Sequence, residues 1–254
     1  MSHLFSWSAL LALVGCSPFE GQRFGDDYLA PTPVEEAFPG ARIEGQGVHA
    51  VTLDDGSLLQ IPYVVQEGMA VADGDLILGP SETIGQRAAA VQWSDARWDC
   101  TIPYVLSELL APSAEQDFLD AVAHWEAKTS LRFVENVMAD DVIVVLSGDG
   151  CSSYLGRTGG VQYLSLAPAC GYGAAIHEIG HAVGLFHEQS RADRDAHVAV
   201  HWENVPSAYT HAFSSYVAQG LGGADLGPYD HGSIMHYSSH AFASGVCYPG
   251  ETQG

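Results

Sequence analysis

The chain has 254 residues, enough for one sizeable domain plus an extension, and 47% of them are hydrophobic, which excludes global disorder. Nine Lys and Arg stand against 31 Asp and Glu, a formal net charge of −22, which argues against nucleic acid or an anionic membrane surface as a partner. Such a balance keeps a protein soluble before it says anything about the charge of a substrate.

Residues 1–16 read as an export signal. Leu10-Leu11-Ala12-Leu13-Val14 is apolar but too short to cross a bilayer as a helix. The run ends in Leu13-Val14-Gly15-Cys16, similar to the lipobox of bacterial lipoproteins, with Cys16 as the lipidated first residue. It departs from that pattern in an n-region that carries His3 and no Lys or Arg. This predicts a bacterial cell-envelope lipoprotein whose only hold on a membrane is the lipid on Cys16. The other reading is an ordinary secretory signal in which Cys16 is incidental. Five cysteines are odd for an exported chain; setting Cys16 aside leaves Cys100, Cys151, Cys170 and Cys247, which allow three pairings.

Residues 17–47 are rich in Gly, Pro and acidic side chains without periodicity and read as a tether. From His49 to Leu78 short apolar runs alternate with Asp-Gly and Glu-Gly turns, the pattern of a small strand-rich extension. Further on, Thr101 to Leu106 reads as a strand. Ser113 opens a helix with Gln116 in capping-box position and Phe118, Val122 and Trp125 on one apolar stripe. Leu131–Val134, Val142–Leu146, Cys151–Leu155 and Gly160–Leu166 follow as strands, and Val142–Leu146 is apolar enough to be buried on both faces. The fold class is read as α/β, with a twisted, mostly parallel sheet.

The densest chemistry lies in His177-Glu178-Ile179-Gly180-His181-Ala182-Val183-Gly184-Leu185-Phe186-His187. On an α-helix His177 and His181 are one turn apart and share a face, so both imidazoles can bind one metal ion. Glu178 stands beside the first of them, where its carboxylate can reach a water at the metal. Gly184 tolerates φ > 0, so the helix can stop there and swing His187 round as a third ligand. Three neutral imidazoles leave a position open, the pattern of a catalytic zinc site. Downstream, Met235 lies in Tyr229-Asp230-His231-Gly232-Ser233-Ile234-Met235-His236-Tyr237; a Met in a tight turn after such a histidine motif is the metzincin signature, with the Met beneath the metal.

The run HEIGHAVGLFHEQSRADRD together with SIMHY resembles the astacin family of zinc endopeptidases, over about Trp93 to Phe242. The resemblance implies an α+β metzincin-like fold and hydrolysis of a peptide or protein substrate with one Zn²⁺ per chain. His177, His181 and His187 would be the ligands and Glu178 the general base. Tyr237 would be a switchable extra ligand that leaves the metal to stabilise an oxyanion. It implies a Cys151–Cys170 disulfide; the family's other bridge starts where this chain has Ser130, so Cys100 and Cys247 would form a substitute bridge or stay free. Ser152-Ser153-Tyr154 is the candidate edge for pairing with substrate. Val71-Ala72-Asp73-Gly74-Asp75-Leu76 is similar to the family's Phe-x-Gly-Asp pro-segment motif, with Ala72 in place of Phe. Asp75 would then block the metal until cleavage near Arg87-Ala88, after which Glu188 would take the new N-terminus. Residues 48–87 become a pro-segment and 88–254 the protease domain. Family members continue well beyond Phe242, so the C-terminal half would be truncated. Two other functions fit the same residues: a non-catalytic surface lipoprotein that keeps the scaffold, and a cell-wall peptide hydrolase.

Overall fold

A computed structural model describes residues 36–52, 58–82, 97–215, 225, 227–239 and 241–242. The export signal, Cys16, Arg87, Ala88 and Cys247 lie outside the described residues. The elements in chain order are β1 (Gly45–Thr52), β2 (Leu58–Gln66), β3 (Met69–Ala72), β4 (Leu76–Pro80), β5 (Thr101–Leu106), α1 (Pro112–Lys128), β6 (Arg132–Glu135), β7 (Val142–Leu146), β8 (Cys151–Tyr154), β9 (Val161–Leu166) and α2 (Gly171–Ala182). After α2 the described chain contains short 3₁₀ turns, among them Glu188–Ser190, Arg194–Ala196 and Ser207–Phe213.

The nine strands among the described residues form one sheet in the order β1-β2-β3-β4-β8-β9-β7-β5-β6. β1 to β4 are joined by consecutive antiparallel pairings, and β8–β9 is antiparallel too. β4–β8, β7–β9, β5–β7 and β5–β6 are parallel. The sheet is therefore mixed, with the larger share of its paired residues antiparallel, and the expected mostly parallel sheet is wrong. Tight turns at Glu67-Gly68 (φ 48° and 73°) and Asp73-Gly74 (φ 48° and 90°) connect β2 to β3 and β3 to β4, and a short turn can return the chain only antiparallel. Parallel pairing is kept where crossovers such as α1 intervene.

The main core lies between the sheet and the two helices. α1 buries Ala114, Phe118, Ala121, Val122 and Trp125, the stripe its spacing predicts. These pack with Ile102, Ile143, Val145, Leu164 and Leu166 of the sheet and Ile176 and Ile179 of α2. Buried indoles need a partner: Trp125 Nε1 donates to the Ile176 carbonyl at 3.1 Å, and Trp98 Nε1 to the Ala182 carbonyl at 2.8 Å. Both bonds pin α2 in place. The expected capping box is absent. α1 begins one residue earlier, at Pro112, whose missing N–H and preset φ suit the first turn, and Gln116 bonds Asp120 on the same helix instead.

The extension carries its own small cores, one of Ile61, Ala72, Leu76 and Leu155 and one of Ala37, Val64, Val71, Ile77 and Tyr154. Leu155 and Tyr154 come from the other half, so burial as well as strand pairing fastens the extension to β8. Residues 36–44, within the stretch read as a tether, are also docked. Ala37 is buried, its N–H donates to the Gly74 carbonyl at 2.9 Å, and the Cys151 N–H donates to the Glu36 carbonyl at 3.2 Å. Among the described residues no helix is long and apolar enough to cross a membrane.

Candidate metal centre

Every residue of α2 from Ala174 to Ala182 is buried. Three of them, His177, Glu178 and His181, are polar, and polar groups in such a place need partners. Each histidine finds one for its outer nitrogen. His177 Nδ1 lies 2.7 Å from the Ile234 carbonyl and His181 Nδ1 lies 2.8 Å from the Leu185 carbonyl. A carbonyl only accepts, so each Nδ1 carries the proton and each Nε2 presents a lone pair. These lone pairs face each other. His177 Nε2 is 3.0 Å from His181 Nε2 and 3.2 Å from His187 Nε2.

His187 arrives through the predicted turn. Gly184 has φ 103°, its N–H donates to the His181 carbonyl, and the Leu185 N–H reaches back to the Gly180 carbonyl, both at 2.9 Å. This is the paired bonding of a Schellman stop.

The Asp75 carboxylate completes the cluster. It lies 3.4 Å from His177 Nε2, 3.5 Å from His181 Nε2 and 3.4 Å from His187 Nε2, and the four ligand atoms sit within 4.8 Å of one another. Zinc bonds of about 2.0–2.1 Å in a tetrahedron put donors roughly 3.3 Å apart, so the donor set fits zinc in type and spacing. Burial pushes His181 down to about 4. Burial opposes a charge on His187 too, but the Asp75 and Asp73 carboxylates outweigh it and raise its value to about 10.

Met235 is buried against α2. A Cβ on Gly180 would stand 2.6 Å from the Met235 sulfur, so the glycine between the histidines makes room for it. The Met235 carbonyl accepts the Glu188 N–H at 2.8 Å, which ties the Met turn to the third histidine. Tyr237 is buried with its ring 4.4 Å from that of His187, and its hydroxyl donates to the Asp73 carbonyl. Glu188 accepts the Asp230 N–H at 3.0 Å and pairs with Arg191 at 3.3 Å, and burial raises its pKa.

Cys151 and Cys170 form a disulfide that joins β8 to the start of α2. Cys100 is disulfide-bonded as well, with its partner outside the described residues. Ser152-Ser153-Tyr154 lies in β8, but β8 is not an edge here, because Leu76 and Ile77 of β4 pair in parallel with Ser153 and Tyr154.

The sequence reading gave Asp73 no role of its own. Asp73 is buried at φ 48°, and its carboxylate lies 3.5 Å from both His187 Nδ1 and Ser190 Oγ. A Cβ on Gly74 would meet the Phe242 ring at 2.5 Å, and Phe242 stacks on Tyr209 at 4.5 Å. Ala72, in place of the expected Phe, is itself fully buried. Gly180 also went without a role, although a glycine in mid-helix costs about 1 kcal/mol relative to Ala and calls for a packing reason.

The Astacin family model (Peptidase family M12A) matches residues 90–250, running past Phe242. The zinc metalloproteinase nas-13 of Caenorhabditis elegans is 39% identical over 160 residues, 62% of this chain and 34% of that protein. Human meprin A subunit beta is 35% identical over 196 residues, 76% of this chain and 27% of that protein. The chain thus spans about a third or less of the length of these relatives. Among solved structures, High choriolytic enzyme 1, a hatching enzyme zinc-protease from Oryzias latipes, is 37% identical with a TM-score of 0.51, covering 59% of this chain and 72% of that one. With a family match over more than half of its length and a zinc-fitting cluster of three histidines on the matching motif, the chain belongs to the astacin family, whose cofactor is zinc.

Proposed function

We propose that this chain is an exported zinc endopeptidase held in a latent form. The observation that carries the proposal is the convergence of three Nε2 atoms, with the Nδ1 protons of His177 and His181 committed to backbone carbonyls, next to the fully buried Glu178. His177, His181 and His187 would hold the metal. Zinc, when bound, supplies a Lewis acid that polarises a carbonyl and acidifies water. Glu178 takes the attacking water's proton and delivers it to the leaving amine nitrogen. Tyr237 donates a hydrogen bond to the oxyanion that develops on the former carbonyl oxygen. Met235 packs the floor beneath the histidines.

Latency comes from residues 48–87 acting as a pro-segment. Asp75 occupies the position among the three histidines that the water needs, and β4 covers the β8 edge that a peptide would use. Cleavage near Arg87-Ala88 releases both, and the new amino group at Ala88 moves to Glu188. The Cys151–Cys170 bridge supports an oxidising compartment, and Cys16 carries the lipid anchor. Intact mass of membrane-fraction protein checks the anchor; an unmodified Cys16 in soluble protein rejects it.

The deciding experiment is metal analysis with a peptide-hydrolysis assay on the processed chain. We expect one zinc per chain, lost or weakened in His181→Ala. Glu178→Gln should keep the zinc and lose about 10²–10⁴-fold in kcat. Near-normal turnover in Glu178→Gln with zinc in place rejects the role of Glu178, and no hydrolysis by the zinc-loaded wild type rejects the function.

A further inference from the structure

The third histidine is followed by Glu188-Gln189-Ser190-Arg191-Ala192-Asp193-Arg194-Asp195, and of these only Glu188 has a role above. Gln189 is 3% exposed, in the turn that carries His187. Its Oε1 accepts the backbone N–H of Tyr237 at 3.0 Å, while its Nε2 has no hydrogen-bond partner among the described residues. Its backbone carbonyl accepts Nη1 of the buried Arg194 at 3.1 Å, and the same nitrogen donates to the carbonyl of Phe213. Phe213 stands edge-on to Tyr237, with centroids 5.7 Å apart at 73°, while His187 lies tilted against the ring at 4.4 Å.

The half-used amide decides what this residue is for. A buried donor without a partner is unfavourable, so the amide is kept for what its other atom does. What the amide alone supplies is an acceptor for the Tyr237 N–H. It cannot be turned over, because Nε2 would then face that N–H donor to donor. The bond fixes the backbone from which the phenol swings, and it does so from the turn that places the third histidine. Arg194 holds the other side by joining Gln189 to Phe213.

We infer that Gln189 is a positioning residue that sets where the Tyr237 hydroxyl comes to rest against the reacting carbonyl. The inference rests on the role proposed for Tyr237. A misplacement of about 1 Å in a catalytic group can cost as much as about 10²-fold, so a hinge contact of this kind should matter to kcat by about tenfold.

The test uses the zinc-loaded, proteolytically activated chain with Gln189→Met and Gln189→Glu, each also on a Tyr237→Phe background. Gln189→Met should lower kcat about tenfold with KM and zinc content unchanged. Its thermal midpoint should change little, since the unpartnered Nε2 goes while the buried Tyr237 N–H loses its acceptor. Amide exchange of the peptide 234–239 should quicken while that of α2 does not. Gln189→Glu keeps the acceptor and should restore most of both readouts. On the Tyr237→Phe background Gln189→Met should add less than about twofold. Unchanged exchange, or an equal kcat loss on both backgrounds, overturns the inference. So does a normal kcat in Gln189→Met where Tyr237→Phe is impaired, and the zinc-peptidase reading then stands. A normal kcat in Tyr237→Phe removes the Tyr237 role and this inference with it. An inactive wild type fails the function itself.

Discussion

Gly180 shows how one missing atom is used. Replacing it with Ala would gain about 1 kcal/mol of helix propensity, but the new Cβ would stand 2.6 Å from the Met235 sulfur. Overpacking a tight core costs about 1–3 kcal/mol, so Gly180→Ala should lower stability on balance, and a denaturant midpoint above wild type would contradict this. The same residue marks what a sequence can tell. The convergence of His177, His181 and His187 was legible because helical spacing and the Gly184 turn are local, whereas Met235 could be placed only through the family signature. Asp73 and Gln189 were not legible, because what they touch depends on segments far away in the chain: Asp73 meets His187 and Tyr237, and Gln189 meets Tyr237.

At the scale of elements, the turn between β3 and β4 reaches the site at three points. Asp75 enters the histidine cluster, the Asp73 carboxylate lies at His187 Nδ1, and the Asp73 carbonyl takes the Tyr237 hydroxyl. A hydrogen bond to a charged group is worth about 1.5–3 kcal/mol. Asp75→Ala should therefore raise the precursor's activity about 10–100-fold and still leave it below the processed protein, since Asp73 keeps its hold on Tyr237. A precursor already as active as the processed protein would show that this turn is no block. Strand positions β5 and β7 were readable residue for residue. The direction of pairing was not, because alternation and apolar runs give a strand's burial and not its neighbour. α1 was shifted at its start because Pro112 opens a helix without any side-chain cap.

For the whole molecule, few cations serve many carboxylates, and their placement matters more than their number. Asp141 accepts the Gly160 N–H at 2.6 Å and pairs with Arg157, and these hold its carboxyl below the usual value. A depressed carboxylate pKa adds stability that is present above the unfolded value of about 3.9 and is lost as the pH falls through the folded one. Asp141→Asn should therefore melt lower than wild type at pH 7, with the gap closing as the pH is taken below about 3.9. A gap independent of pH would assign the effect to packing.

The joining of β4 to β8 also bears on how the chain acquires its structure. β1 to β4 pair with near neighbours in sequence, whereas β4 must find β8 across the distance from Leu76 to Ser153. Local hairpins form in about 1–10 μs, and long-range parallel pairing is slow because loop closure precedes its reward. The meander can thus stand as a finished edge on which β8 docks, with Tyr154 and Leu155 buried in its two small cores. Residues 36–82 would then act as a folding template as well as a cover. A chain that begins after them should refold more slowly from denaturant than the full chain, and equal refolding rates would show that the catalytic half nucleates alone.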